Sequence, residues 1–455
     1  MICSDYEKLS NDGVSAEELA DIFLKEYYGE VGIIFPINPF QMITDLGIPF
    51  ILRPFKKYEG VYIPSSGNDD IPIIGINLQR PIVRQRYTAA HELCHHLKDI
   101  HHGFMCTANP KSEIECYAES FASELLMPMD EFIKQVKLQL KNGYVDFDGV
   151  LVIADYFGVS FQACLYKIAY KLHLIEGDTS PRSLQKRAEK YKPQIKRNEK
   201  GWYYTRLYEQ LFNAIGENFN IKPTAYACQK FKTEYVFYDS RLEGVNIDEE
   251  TVGNIVSDLR IRKQNSVFCK EENQNIIEAA GLTLAYDYAF EEAENNITIY
   301  DAKHINEKLF ALAPCHEFGG RFRQSNAIVL KAKFEIVDYY KIPEEIYLLD
   351  KEVATLIDNC EKMSYSDYIE NAIKIHHRLT VIHPFNDGNG RTARAFCNMM
   401  LLKRHISPVF FKENVKKQYK DALAIVDTTG KYDALYEIFF KAILESNAAL
   451  TDFSI

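Results

Sequence analysis

The sequence predicts a multi-domain protein in which an α+β domain precedes a mainly α-helical domain with a β-hairpin flap. The chain has 455 residues, which is long for a single domain. Strand-like runs cluster before residue 80, whereas helical spacing of apolar residues dominates from residue 202 onward. Between these parts, residues 176–201 become charged and poor in apolar side chains, which is typical of an inter-domain linker. We therefore expect domains at 1–175 and 202–455, joined by this charged linker.

The composition excludes several classes of function. A hydrophobic fraction of 47% and a charged fraction of 26% are ordinary for a soluble globular protein. The net charge of −11 argues against a general nucleic-acid-binding protein. No apolar run approaches the roughly 18 residues of a membrane span, and no signal-peptide pattern is visible. The ten cysteines are scattered without C-x-x-C pairs, so we expect a cytoplasmic protein with reduced thiols and no membrane partner.

The first domain begins with a predicted helix and a predicted small sheet. Residues 15–28 have helical spacing behind Ser15, a residue type that caps helices. Three β-branched runs follow at 48–52, 60–64 and 71–77, separated by Gly, Asn, Asp and Ser residues. These runs predict a small antiparallel sheet.

The next predicted helix carries His91 and Glu92 followed by His95, in the pattern H-E-L-C-H. Positions i and i+4 share a helix face, so both imidazoles can bind one Zn²⁺ while Glu92 acts as general base for a water molecule. A catalytic zinc site of this type also needs a carboxylate ligand. The helical run I-E-C-Y-A-E-S-F-A-S-E-L-L-M-P, about twenty residues later, offers Glu115 and Glu119.

Residues 15–175 resemble the ImmA/IrrE family of metallopeptidase-like proteins, through R-Q-R-Y-T-A-A-H-E-L-C-H and I-E-C-Y-A-E-S-F-A. The resemblance implies a zincin-like fold, a Zn²⁺ cofactor and peptidase activity, with Glu115 as the third ligand. Glu119 stands where the family has Asn or Asp, and from there it would orient a ligand histidine. Cys94 replaces the family's Gly. The alternative is a zincin-like domain that senses or scaffolds without cleaving a substrate.

A second motif, H-P-F-N-D-G-N-G-R-T-A-R, occupies residues 383–394. Its glycine-rich turn runs into a helical pattern, which places free backbone N–H groups and the positive end of a helix dipole at one anion-binding site. Asp387 precedes the turn, where a carboxylate can hold Mg²⁺ on phosphate oxygens. Arg391 and Arg394 share a helix face and can clamp phosphates, and His383 is the candidate general base. A helix-capping turn with surface arginines is the alternative.

This run resembles the Fic family motif H-P-F-x-[DE]-G-N-G-R-x-x-R at every constrained position, and the resemblance extends over about residues 202–445. It implies transfer of AMP from ATP, with Mg²⁺, to a hydroxyl side chain of a target protein. His383 would deprotonate that hydroxyl. The implied nucleotide-binding residues are Asp387, Gly388, Asn389, Gly390, Arg391, Thr392, Arg394 and Tyr419.

The same resemblance implies a regulatory glutamate and a substrate flap. Fic proteins with an inhibitory helix carry [ST]-x-x-x-E-[GN], and this chain reads D-S-R-L-E-G, with Asp239 at the Ser/Thr position. Glu243 would pair with Arg394 and keep it from the γ-phosphate of ATP, whereas an ordinary exposed glutamate is the alternative. Residues 324–338, after E-F-G-G-R-F-R, are predicted to form a hairpin or extended flap that aligns the backbone of the target protein.

These observations lead to several functional hypotheses. The leading one is a Fic adenylyltransferase inhibited by Glu243 and coupled to a zinc peptidase-like domain. Removal of AMP from a modified target is a second reaction on the same motif. A different class makes the first domain a zinc-dependent protease or sensor that cleaves a repressor or antitoxin, with the Fic half as effector, and a scaffold with inactive sites is the third. The fusion suggests a toxin–antitoxin or stress-response role. The target protein, its modified side chain and any homo-oligomer stay open.

Overall fold

A computed structural model of the chain describes residues 3–67, 70–99, 102–106, 112–216, 225–327 and 336–451. The chain divides into two compact units, Met1–Asn218 and Phe219–Ile455. The first unit combines helices with a small sheet, and the second is mostly helical, which confirms the predicted fold class. Most of the predicted flap, residues 328–335, lies outside the described residues.

The first unit contains the following described elements. Its helices are α1 (Cys3–Asn11), α2 (Ala16–Tyr28), α3 (Pro39–Asp45), α4 (Ile82–Lys98), α5 (Glu113–Leu126), α6 (Met129–Leu138), α7 (Phe147–Phe157), α8 (Phe161–Lys167), α9 (Pro181–Tyr191), α10 (Pro193–Glu199) and α11 (Thr205–Ile215). Its strands are β1 (Phe50–Arg53), β2 (Gly60–Ile63), β3 (Ile73–Asn77), β4 (Phe104–Cys106), β5 (Leu140–Lys141) and β6 (Tyr144–Val145).

The predicted antiparallel sheet is mixed in the structure. The strand order is β1-β3-β2-β4, and β3 pairs with β2 in antiparallel but with β1 in parallel orientation. The reason is topological: the chain reverses after β1 and again after β2, and β3 inserts between them. Because β1 and β3 therefore run in the same direction, their pairing is parallel. The antiparallel prediction is confirmed for β2 with β3 and wrong for β1 with β3.

Local sequence signals account for the helices that frame the first site. Ser15 accepts a hydrogen bond from the backbone of Glu18, whose side chain in turn bonds the Ser15 backbone, so α2 starts with a complete capping box. α4 is buried on most of its faces, including His91, Glu92 and His95. The middle of α4 therefore lies away from bulk water. Polar side chains buried there cost free energy unless they are hydrogen-bonded, paired with a charge or bound to a metal.

The predicted linker, residues 176–201, is folded instead of extended. It forms α9 and α10 within the first unit, where Leu184 is fully buried. Arg197 is 2% exposed, pairs with Asp155 at 2.7 Å and lies 4.0 Å over the ring of Tyr204. The high content of charged residues suggested a linker. Two short helices can nevertheless be held in place by a few buried residues. The predicted boundary therefore lies inside the first unit.

Hydropathy gives one further observation on the helices. In the described part of the chain, no single helix is long and apolar enough to cross a membrane. The pair Phe147–Phe157 and Phe161–Leu172 meets the length and composition test only when combined, and its two members are bent by 111°.

The second unit is a helical assembly built around one buried helix. Its described helices are α12 (Ala225–Glu243), α13 (Glu249–Arg262), α14 (Gln274–Glu291), α15 (Tyr300–Phe310), α16 (Ile342–Asp358), α17 (Tyr365–Ile382), α18 (Asn389–Lys403), α19 (Lys416–Thr429) and α20 (Asp433–Thr451). α18 packs against α14, α15 and α17 and is buried along almost its whole length. Two of its buried residues are arginines, which need partners for their charges.

Candidate functional site

His383 lies at the end of α17 in a left-handed backbone conformation, with φ of 50°. Its ring Nδ1 is 3.3 Å from the carbonyl oxygen of Thr380. Since a carbonyl only accepts hydrogen bonds, this contact places the proton of the neutral imidazole on Nδ1 and leaves Nε2 as the basic nitrogen. Burial lowers the pKa of His383, and the hydrogen bond to Thr380 offsets part of that effect. The imidazole is therefore neutral near pH 7, as a general base must be.

The glycine-rich turn after His383 is held in shape by Gly388 and Asn389. Gly388 has a φ of 73°, and a Cβ atom there would lie 2.5 Å from a methyl carbon of Leu309. The Asn389 side chain donates to the carbonyl of Phe385 and accepts from its N–H, both at 2.9 Å. The predicted glycine-rich turn is thus present at the start of α18, and the Asn389 amide forms hydrogen bonds within the loop.

Arg394 is buried between two carboxylates. Its Nε donates to Asp239 at 2.5 Å, and one terminal nitrogen donates to Glu243 at 2.5 Å. Burial opposes the charge of Arg394, but Asp239 and Glu243 more than offset it and raise the pKa of the guanidinium. Burial alone would raise the pKa of Glu243. The charge and hydrogen bond of Arg394 outweigh this effect and lower the pKa below its ordinary value, so Glu243 is ionised. The predicted contact between Glu243 and Arg394 exists in the structure, beside a second one to Asp239.

Glu243 also lies at the first turn of α18. A Cβ atom on Gly390 would be 2.9 Å from Glu243 Oε1 and 3.1 Å from a terminal nitrogen of Arg394. The carboxylate therefore lies at the positive end of the helix, where a phosphate group would otherwise be favoured.

The other motif arginine is paired as well. Arg391 donates to Glu278 of α14 at 2.9 Å and lies 3.9 Å from Asp387. No motif in the sequence pointed to Glu278, which is far from the turn along the chain. The Asp387 side chain is 75% exposed, and one of its oxygens accepts from the backbone N–H of Gly388 at 2.6 Å. Its other oxygen, Oδ2, is the atom that lies 3.9 Å from Arg391.

Two residues predicted to bind the nucleotide have side chains that are buried and packed in the core. Thr392 is fully buried and accepts a hydrogen bond from Asn306 at 3.0 Å. Tyr419 is 2% exposed, its hydroxyl is 3.0 Å from His376, and its ring stacks on Phe411. Their direct contact with a nucleotide stays a prediction.

Arg323 joins the base of the predicted flap to the histidine. Its Nε donates to the carbonyl of His383 at 2.8 Å, and its terminal nitrogens donate to the carbonyls of Ser325 and Val337. Phe322 forms a β-bridge with Phe385 next to it. One guanidinium therefore fixes both described ends of the flap segment beside the candidate base.

The first unit brings His91, His95 and Glu115 together, as the sequence predicted. His91 Nε2 is 3.1 Å from Glu115 Oε2 and 3.2 Å from His95 Nε2, and His95 Nε2 is 3.7 Å from Glu115 Oε1. Four tetrahedral ligands bound to zinc at about 2.0–2.1 Å are about 3.3 Å apart, which agrees with these separations. The three residues therefore fit a Zn²⁺ ion.

The surroundings of this cluster also fit a metal centre. Both carboxylate oxygens of Glu92 are buried without a hydrogen-bond partner in the described chain. Burial and the charge of Glu115 raise the pKa of Glu92 well above its usual value. His95 Nδ1 is 3.0 Å from Asp99, so Asp99 makes the orienting contact that was assigned to Glu119. Glu119 lines a different cavity. Because His91 Nδ1 has no hydrogen-bond partner in the described chain and His95 Nδ1 faces Asp99, the predicted contact of Glu119 with a ligand histidine was wrong.

Sequence comparisons identify a known type of domain around each cluster. A profile of the Fic/DOC family matches residues 296–401, and a profile of the IrrE N-terminal-like domain matches residues 43–169. The chain combines an IrrE N-terminal-like domain with a Fic domain. Both predicted resemblances are thereby confirmed. The Fic domain holds the histidine and arginine cluster, and the IrrE-like domain holds the candidate metal ligands.

Among curated proteins, the chain is similar to protein adenylyltransferase fic-1 of Caenorhabditis briggsae, with 27% identity over 195 residues. That match covers 42% of this chain and 36% of the relative. A probable protein adenylyltransferase of Aquifex aeolicus is 28% identical over 95 residues, which is 21% of this chain and 28% of the relative. The matches thus span about a third of the length of these relatives.

The chain was also compared with solved structures, and the matches have TM-scores below 0.5. Fic-1 (residues 134–508) of C. elegans has a TM-score of 0.45 and 17% identity, covering 71% of this chain and 92% of that one. A Fic-domain signalling protein of Bacteroides thetaiotaomicron has a TM-score of 0.43 and 18% identity, covering 53% and 95%.

Proposed function

We propose that the Fic domain transfers AMP from ATP to a hydroxyl side chain of a target protein. The observation that carries the proposal is the position of a neutral His383 beside the start of α18, from which Arg391 and Arg394 project. The target oxygen attacks the α-phosphorus, the bond to the β-phosphate oxygen breaks, and pyrophosphate leaves. His383 Nε2 takes the hydroxyl proton as the new bond forms.

A magnesium ion fits the same proposal. Mg²⁺ takes oxygen ligands and is held by one or two carboxylates together with phosphate oxygens. Asp387 offers an exposed carboxylate oxygen at the mouth of the turn. Mg²⁺ bound there would neutralise charge on the phosphates.

We further propose that Glu243 inhibits this transfer. Its carboxylate takes a donor of Arg394 and lies against the first turn of α18, both of which a terminal phosphate would need. A hydrogen bond to a charged group contributes about 1.5–3 kcal/mol, so its removal should raise the transfer rate about 10- to 100-fold.

Labelled ATP tests both statements. The full-length protein is incubated with Mg²⁺, ATP labelled at the α-phosphate and a cell lysate that supplies acceptor proteins. We expect weak labelling by the unaltered protein and strong labelling by Glu243→Gly. Adding His383→Ala to the Glu243→Gly variant should lower the transfer rate by about 10²–10⁴-fold, which is the usual contribution of a general base. His304→Ala, at an exposed histidine of α15, is the matched control. Equal labelling with and without His383 would refute the proposal.

Removal of AMP is the competing reaction for the same residues. In that case Glu243 would position a water molecule, and the Glu243→Gly variant would be less active than the unaltered protein. Incubating an AMP-modified lysate with the protein in the absence of ATP separates the two directions, because only removal proceeds without ATP.

We propose a second function, zinc-dependent peptide hydrolysis, for the IrrE-like domain. The support is the His91, His95 and Glu115 cluster next to the unpartnered carboxylate of Glu92. Zn²⁺ in such a site acts as a Lewis acid on a peptide carbonyl. Glu92 would take the proton of the attacking water and hold it until the amine leaves. A repressor or antitoxin is the expected class of protein substrate.

Metal content and hydrolysis test this second function separately. The full-length protein should bind one zinc equivalent, and His91→Ala should bind none. Glu92→Gln should retain zinc but cleave no bond in a mixture of proteome-derived peptides, followed by mass spectrometry. Zinc binding without hydrolysis by the unaltered protein would leave a metal-holding sensor and refute the peptidase.

A further inference from the structure

The IrrE-like domain contains a cavity that neither proposed reaction explains. It has a volume of about 570 Å³ and lies between α2, α4, α5 and α8. This volume is in the range of sites that enclose a ligand group. Tyr87, Tyr166 and Tyr170 contribute to its lining, as do Val83 and Leu126. Of the eighteen lining residues, eight are aromatic or apolar, six are charged and four carry hydroxyl or amide side chains.

Most of the charged groups that line the cavity are already paired. Lys167 is bonded to Glu124 at 2.8 Å, and both are buried. Lys171 pairs with Glu17 at 3.4 Å on the rim.

The other two lining charges are Arg84 and Glu119. Arg84 pairs with Glu59 at 3.3 Å, a carboxylate that it shares with Arg80. In the described part of the chain, no lysine or arginine lies within ion-pair distance of the Glu119 carboxylate. Glu119 is thus the lining carboxylate without an ion-pair partner in the described chain, and aromatic and aliphatic side chains make up about half of the other lining residues.

The cavity begins one helical turn from the candidate metal ligands. Tyr87 precedes His91 by four residues on α4, and their ring centroids are 6.5 Å apart. Glu119 follows Glu115 by four residues on α5, a rise of about 6 Å. An extended peptide advances about 3.3 Å per residue, so this distance corresponds to about two residues.

We propose that the Glu119 cavity binds a basic side chain, Lys or Arg, that lies within about two residues of the peptide bond cleaved at the metal centre. The carboxylate would take the ammonium or guanidinium group, and the tyrosine rings and aliphatic walls would pack along the stem. This inference rests on the proposed peptidase function. Glu119 is here a specificity residue, with no role at the metal.

Binding to metal-free protein tests the cavity without any hydrolysis. Two pools of fluorescent octapeptides with randomised flanks differ only in carrying arginine or citrulline, its neutral counterpart, at the fourth position. The full-length protein in EDTA should bind the arginine pool about tenfold more tightly, as measured by anisotropy. Glu119→Gln should remove this difference. Glu17→Gln is the matched control, because its carboxylate on the rim is already paired with Lys171.

Three results would overturn the inference: equal binding of the two pools, no binding of either, or an unchanged arginine preference in Glu119→Gln. Cleavage products provide the second readout. If the zinc-loaded protein cleaves peptides, Lys and Arg should be enriched within two residues of the cut, and Glu119→Gln should lose the enrichment. An arginine preference without hydrolysis refutes the peptidase function but supports binding of a basic side chain in the cavity. Hydrolysis without that preference supports the peptidase function and refutes the proposed binding.

Discussion

Asp239 Oδ1 lies 2.5 Å from Arg394 Nε, and both side chains are buried. The hydroxyl of Tyr286 donates to the same carboxylate at 3.0 Å, so Asp239 is held from two sides. The inhibitory motif of other Fic proteins has Ser or Thr at this position. In this chain, a charge therefore replaces a hydroxyl directly on the arginine, and it stays there when Glu243 is removed.

Asp239 should weaken ATP binding, including in the Glu243→Gly variant. A carboxylate about 6 Å from a phosphate charge repels it by about 3 kcal/mol at an effective dielectric constant of 20. Asp239→Asn keeps the shape and removes the charge. In the Glu243→Gly background we expect it to tighten ATP binding about tenfold or more, measured by calorimetry. Weaker binding would mean that Asp239 serves mainly to orient Arg394.

Sequence reasoning was most successful where neighbouring residues alone determine the local structure. The Ser15 capping box, the i, i+4 histidines of α4 and the turn before α18 depend on neighbours within a few residues. Their geometry follows from local backbone rules, so their positions could be predicted. The choice of Glu115 as the carboxylate near the histidines came from the family pattern, and the structure places it there.

The contacts that sequence reasoning missed join residues far apart in the chain. Glu278 reaches Arg391 across more than a hundred positions, and Asp239 reaches Arg394 across a similar span. Parallel pairing of β1 with β3 depends on the order in which strands enter a sheet. Asp99 is close in sequence to His95, and its i+4 spacing at the end of α4 was a signal that could have identified it.

The pH dependence of transfer should reflect His383. Burial lowers its pKa below the ordinary value of 6.5. The imidazole acts as a general base only when it is neutral. The transfer rate should therefore be maximal above the pKa of His383 and fall as the pH drops through that pKa. We expect kcat/KM of Glu243→Gly to be level around neutral pH and to decline only below 6.5. A midpoint above 6.5 would show that the imidazole is not shielded from water as the structure has it.

The glycine at the motif turn should be required for space as well as for conformation. Gly388 and Gly430 have nearly equal φ values of 73° and 70°, but only Gly388 lacks room for a Cβ atom. Gly430→Ala should cost about 1–2 kcal/mol of unfolding free energy through backbone strain. Gly388→Ala should cost a further 1–3 kcal/mol, roughly, through overpacking against Leu309. Urea unfolding followed by circular dichroism measures both. Equal costs would contradict the close contact.

Asp99 should control zinc affinity through His95. Its carboxylate oxygen is 3.0 Å from His95 Nδ1, so it fixes the ring with Nε2 toward His91 and Glu115. Loss of such an orienting partner typically weakens metal binding by about 10- to 100-fold. We expect this loss in Asp99→Asn, measured by competition with a chromophoric chelator.

The control for this prediction is Glu119→Gln, the other carboxylate considered for the orienting role. Glu119 lines the neighbouring cavity and forms no hydrogen bond with the Nδ1 atom of either histidine in the described chain. Its substitution should therefore leave zinc affinity unchanged while Asp99→Asn lowers it. The opposite result would place Glu119 beside the metal ligands and remove it from the cavity. Because a single pair of variants separates the two arrangements, zinc affinity decides which carboxylate supports the metal and which one is free to select a substrate.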